Sequence, residues 1–242
     1  MTNAHRPALF VHITKNGGTT LVRMFVYLFG HRRVGSVYRF PNDTPANTRA
    51  LRDLLEAHAL DERRVVVGHF AFMAQYAEQY PHFTLLRDPI ERQISWYFYV
   101  RRDPNQTLNP LLYTADMTLE RGIPLLGDNE QVRYLINVFD RPLTPADLEQ
   151  AKFNLEHRFA AFGILERYDE SLLLFRRAFG WPMPYYAIEN KGVNRPKAIS
   201  EEARRVAAEH NALDIALYAW ACDLFARRIA AQPPTFSAEL AH

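Results

Sequence analysis

The chain has 242 residues, 48% hydrophobic and 23% charged, with 29 Lys and Arg against 27 Asp and Glu. That size and balance predict one globular domain over residues 1–242, with a core near 8–229 that needs no covalent staple. A formal net charge of only +2 gives no basic field that would call for nucleic acid or an anionic membrane, the lone Cys222 excludes an intrachain disulfide, and no apolar run approaches the ~20 residues of a membrane span.

The start, Met-Thr-Asn-Ala-His-Arg-Pro, leads directly into an apolar run, which leaves no room for a signal peptide and, with the single cysteine, predicts a cytoplasmic protein. Residues 8–13 read as a buried strand. Residues 19–29 form an apolar helix stopped at Gly30. Residues 31–47 are polar and turn-rich, a loop, and 46–59 have helical periodicity. The β-branched run 64–68 is a second strand with His69 just beyond its end, and 83–86 is a third. Asp88-Pro89-Ile90-Glu91 then carries the start signals of a helix running to about 101: a cap, a proline in the first turn and an acid at the capping-box position.

Residues 103–127 read as an irregular, proline-containing excursion. Helices follow at 129–139 and 144–157, a strand at 159–165, and a helix at 169–179 closed by Gly180. After an aromatic and basic loop, 181–197, one long helix is predicted over 200–229, with a frayed tail from about 231. Strands alternating with helices predict an α/β fold with a mainly parallel central sheet covered by helices on both faces.

Two segments carry chemistry. In Thr14-Lys15-Asn16-Gly17-Gly18-Thr19-Thr20, a strand breaks into a glycine turn and a helix begins. Backbone N–H groups and the helix dipole there suit an anion, and glycine allows close approach. Lys15 precedes the glycines, whereas the G-x-x-x-x-G-K-[ST] pattern of ATP and GTP enzymes places it after them. In Arg87-Asp88-Pro89 through Ser95, an arginine at a strand's carboxyl end and a hydroxyl two helical turns on could converge on one phosphate. His69 has an unperturbed pKa suited to general-base work near neutral pH, and His12 reads as structural. Asp43, Glu120 and Asp128 are the carboxylate alternatives for the base. Trp96, Tyr97, Phe98 and Tyr99 read as packing residues. No Cys/His cluster suggests a metal site.

These two segments resemble those of the P-loop sulfotransferases, specifically the branch of the heparan sulfate 2-O- and 6-O-sulfotransferases and their bacterial relatives. The resemblance implies that the Lys15–Thr20 loop (Lys15, Asn16, Gly17, Gly18, Thr19, Thr20) binds the 5′-phosphosulfate of 3′-phosphoadenosine 5′-phosphosulfate (PAPS), and that Arg87 and Ser95 bind its 3′-phosphate. Thr14 and Asn16 depart from the family's usual proline and threonine. Val67-Gly68-His69-Phe70 is similar to the Gly-His segment that carries a catalytic histidine, which implies that His69 is the base. Lys191, Asn194 and Arg195 resemble a basic loop over the nucleotide. Asn129, Gln131 and Arg133 resemble an Asn-x-Gln-x-Arg segment that positions the acceptor or supports the site. The implied activity is in-line sulfuryl transfer, without metal, to a hydroxyl acceptor, most plausibly a carbohydrate. The acceptor regions, about 31–63 and 101–128, match no motif, and the sequence does not reveal the oligomeric state. The rival readings are a P-loop kinase using ATP and Mg²⁺ and a catalytically silent nucleotide-binding module.

Overall fold

A computed structural model describes residues 6–40, 42–114, 116–186 and 198–240. Five parallel strands form one sheet in the order β2-β3-β1-β4-β5: β1 Ala8–Val11, β2 Val34–Val37, β3 Val65–Gly68, β4 His82–Leu86 and β5 Ala161–Ile164. β1, β3, β4 and β5 are buried throughout, which explains their nearly unbroken apolar sequences. Successive side chains serve opposite faces. Leu9 and Val11 of β1 enter one core with Val66, Leu86 and Phe162, while Ala8 and Phe10 enter the other with Val67, Phe83 and Leu85.

Helices cover both faces, as expected for parallel strands. The second core is closed by α1 (Gly18–Phe29) and α8 (Tyr168–Phe179), the first by α2 (Thr44–Glu56), α6 (Glu130–Ile136), α7 (Pro145–His157) and α10 (Ala212–Ala230). Asp88 caps α3 (Pro89–Arg102) by accepting from the Glu91 N–H at 2.9 Å, and Gly180, at φ 63°, closes α8. The excursion 103–127 contains two single-turn helices, α4 (Asn109–Leu112) and α5 (Leu119–Gly122), which pack with Trp96 and Tyr97 of α3 in a third apolar cluster.

Three elements differ from the sequence expectation. The expected loop 31–47 contains β2, a four-residue edge strand with Gly35 and Ser36 at its centre, both weak strand formers. Its pairing with β3 creates it. The expected helix 200–229 is two, α9 (Glu201–His210) and α10, broken at Asn211. There the Asn129 side chain accepts from the N–H groups of Leu213 and Asp214, while Asn211 Oδ1 accepts from the Asn129 N–H, so a partner distant in sequence caps a new helix start. The expected frayed tail forms α11 (Thr235–Leu240), docked by buried Phe236 and by Glu239 between Arg176 and Arg177.

The chain leaves β1 toward β2 and β3 on one side and reaches β4 and β5 on the other. β1 is therefore the switch point of the sheet, and the crevice outside its carboxyl end is where open parallel sheets bind ligands.

Candidate active site

Four side chains stand at the carboxyl ends of adjacent strands: Tyr38 after β2, His69 after β3, His12 after β1 and Arg87 after β4. The loop between β1 and α1 completes the edge. Lys15 and Gly17 both hold left-handed backbone, at φ 69° and 76°, which turns the chain sharply into α1. A Cβ at Gly17 would strike Leu165, and one at Gly18 would drive into the His12 imidazole. Glycine thus lets the first turn of α1 lie directly on His12.

The N-cap position is Gly17, which has no side chain to cap the helix start, and the first turn holds no acidic residue. Its N–H groups, with the Lys15 ammonium and the Arg87 guanidinium nearby, make a donor set suited to a phosphorylated anion. The residues present therefore fit the phosphate groups of a nucleotide. Thr19 is exposed and Thr20 half-buried at this start, and Ser95 is half-buried on α3, seven residues after its cap. Lys191, Asn194 and Arg195 lie outside the described residues.

Lys15 Nζ sits 4.2 Å from the centre of the Tyr99 ring. Burial, then the charges of Arg87 and Arg102, bring its pKa down to about 8. Tyr99 thus does more than pack. The Arg87 guanidinium donates to the Lys15 carbonyl at 2.9 Å, which ties the loop to the end of β4.

His69 is oriented from behind. Its Nδ1 lies 2.7 Å from the His12 carbonyl oxygen. A carbonyl only accepts, so Nδ1 carries the proton and Nε2 is left with the lone pair. The ring sits 4.5 Å from that of His12 and 4.9 Å from that of Tyr38, and the Tyr38 hydroxyl lies 2.7 Å from His12 Nδ1. Burial lowers the pKa of His69, against the opposing carbonyl bond, and lowers that of His12 further, with help from the charges of His69 and Lys15. Both rings are neutral at pH 7. The geometry fixes the His69 tautomer, leaving Nε2 as an acceptor, and sets the His12 ring behind it. Tyr38 was not legible as a site residue, because the strand that delivers it was not.

The alternative carboxylates have structural partners: Asp43 caps α2, Glu120 accepts from Ser200 and Asp128 pairs with Arg133 at 2.7 Å. Asn16 departs from its expected role, since its side chain is fully buried and donates inward, to the Leu85 carbonyl at 2.7 Å and to Gln131 Oε1 at 2.9 Å. Its backbone N–H donates to the Ile13 carbonyl at 3.2 Å, so Asn16 holds the turn in place. Asn129 and Arg133 support the fold rather than facing an acceptor. Asn129 caps α10, while Arg133 binds Asp128 and the carbonyls of Val138 and Arg141. Gln131 joins Asn16 to the backbone of Arg87.

At its switch point the α/β sheet carries a glycine-turned helix start faced by a half-buried lysine and a neutral histidine, an arrangement suited to a phosphorylated anion. Residues 1–160 match the Sulfotransferase family, and the chain belongs to that family. It is 27% identical over 278 aligned positions to heparan-sulfate 6-O-sulfotransferase 2 of Homo sapiens and equally to that of Mus musculus, covering 91% of this chain and 44% of each relative. The chain thus spans less than half the length of these curated relatives. A crystal structure of retinol dehydratase with androsterone and the inactive cofactor PAP aligns at 16% identity and a TM-score of 0.33, over 85% of this chain and 64% of that one.

Proposed function

We propose that this protein transfers a sulfuryl group from PAPS to a hydroxyl of a carbohydrate. The observation that carries the proposal is the meeting, at one sheet edge, of the Lys15 loop, the Arg87 end of β4 and a histidine whose Nε2 is held as an acceptor. Family membership and the heparan-sulfate acceptor in the relatives' names support both the reaction and the acceptor class.

The donor supplies an electrophilic sulfur joined through oxygen to the 5′-phosphate. His69 Nε2 takes the acceptor's hydroxyl proton as the new O–S bond forms. The S–O bond to the 5′-phosphate breaks, and Lys15 with the loop N–H groups holds the negative charge left on that oxygen. This attraction is strongest in the transition state. Arg87 and Ser95 grip the 3′-phosphate and so fix the nucleotide for in-line attack.

The two segments without a motif touch each other. Asn42 Nδ2 donates to Gln106 Oε1 at 2.9 Å, joining the chain after β2 to the chain after α3. Tyr38 stands beside His69 on one side and Tyr99 beneath Lys15 on the other, so an acceptor would enter between these walls.

The test is transfer from labelled PAPS to a panel of glycans, read by mass spectrometry. Lys15→Ala should lower turnover by about 10²–10³-fold and His69→Ala by about 10²–10⁴-fold. Near-normal rates in both purified variants would refute the assignment.

A further inference from the structure

The Gln131 side chain is fully buried, yet it makes polar contacts with both phosphate-binding segments. Its Oε1 accepts from Asn16 Nδ2 and from the Arg87 N–H, each at 2.9 Å, and its Nε2 donates to the Arg87 carbonyl, also at 2.9 Å. Asn16 makes a further bond to the Leu85 carbonyl at 2.7 Å. One carboxamide, delivered by α6, therefore joins the loop after β1 to the residue that ends β4. α6 is itself anchored, because buried Asp214 of α10 accepts from the N–H groups of Gln131 and Val132 at 3.0 and 2.8 Å.

This arrangement suits a side chain that both accepts and donates. A carboxylate could keep the two acceptor bonds but not the donation to Arg87, and an apolar side chain would leave the Arg87 N–H and carbonyl without that partner. In the proposed pocket the parts of these segments that would meet the ligand are the helix start beyond Gly17 and the Arg87 guanidinium, which also donates to the Lys15 carbonyl at 2.9 Å. Their separation decides whether one nucleotide can be gripped at both ends together.

We infer that Gln131 is a positioning residue that sets the distance between the 5′-phosphate loop and the 3′-phosphate arginine, and so makes the two grips act as one. The inference rests on the reading of the pocket as a site for a 3′,5′-bisphosphorylated nucleotide. It makes Gln131 a determinant of donor selectivity rather than a contact for the acceptor.

The experiment compares adenosine 3′,5′-bisphosphate with adenosine 5′-monophosphate by titration calorimetry, for the wild-type chain, Gln131→Met and Gln131→Glu, with melting temperature measured alongside. In the wild type the bisphosphate should bind more tightly. In Gln131→Met that preference should fall by about tenfold or more, the scale on which a charged hydrogen bond contributes, with an intermediate fall in Gln131→Glu. A role confined to packing would lower the melting temperature while leaving the preference intact, and that result would overturn the inference. If Gln131→Met does not fold, Gln131→Glu decides by the same criterion. A wild type that does not discriminate between the two nucleotides would remove the bisphosphate reading itself, and the inference with it, an outcome distinct from an unchanged preference in the variants.

Discussion

Lys15 and His69 are tuned in the same direction by burial, with opposite consequences for the pH range of activity. In the proposed mechanism His69 accepts a proton only when neutral, and its lowered pKa keeps it neutral to more acidic pH than an ordinary histidine. In the same mechanism Lys15 holds the developing charge only as an ammonium, and in the nucleotide-free protein its pKa is brought down to about 8. The profile of kcat/KM, which reports the free protein, should therefore fall on the acid side below pH 6.5 and on the alkaline side near pH 8. A bound anion favours the ammonium form, so the alkaline limb of kcat should lie higher. His69→Ala should remove the acid limb and leave the alkaline one. An unchanged acid limb in that variant would exclude His69 as the base. At this scale the sequence revealed residue types better than their orientations. Lys15, His69 and Arg87 were legible because each follows an apolar run that ends abruptly. The inward turn of Asn16 was not, because its partners, Leu85 and Gln131, lie far along the chain.

The local geometry of the β1–α1 junction sets two requirements at the scale of the element. Gly18 has no room for a Cβ against His12. Gly18→Ala should displace the ring that supports His69, lowering stability by about 1–3 kcal/mol and turnover by more than the loss of folded protein accounts for. Chemical denaturation and single-turnover rates measured on the same preparation would show both effects. The start of α6 depends on Asp214, which accepts two buried N–H groups. Asp214→Ala should cost roughly 2–4 kcal/mol, measurable in urea. Burial raises the Asp214 pKa from 3.8 to about 6, against the opposing effects of Arg92 and of the two N–H bonds. The native state then holds a proton that the unfolded chain releases, so this group's contribution to stability is complete below about pH 4 and is lost as pH rises to about 6. Asp214→Asn should flatten stability over that window, and a slope equal to wild type would refute the assignment. Helices with their own start signals, such as α3 and α7, were readable. The break between α9 and α10 was not, because its cap belongs to Asn129.

At the scale of the whole molecule, the nucleotide would touch the loop after β1, the end of β4 and α3, and so bind the native state and not the unfolded chain. Adenosine 3′,5′-bisphosphate at a hundred times its Kd should add about 2.7 kcal/mol, raising Tm by roughly 5–10 °C in a domain of this size. The rise should need no magnesium. Stabilisation by ATP with magnesium, and none by the bisphosphate, would favour a kinase. Among the described residues no helix is long and apolar enough to cross a membrane, and no three His, Cys, Asp or Glu side chains are grouped to hold a metal ion.

By itself the sequence determined the α/β class, most of the strands and helices, and the two segments with the residue types for a phosphorylated donor. Apolar runs, turn glycines and helix caps are local signals, and each is written within a few neighbouring residues. Only the tertiary structure decided which strand lies beside which, that Tyr38 and His12 back His69, and that Gln131 faces the interior between the two phosphate segments. Those facts depend on parallel pairing and on hydrogen bonds between residues far apart in the chain, whose partners no local pattern specifies.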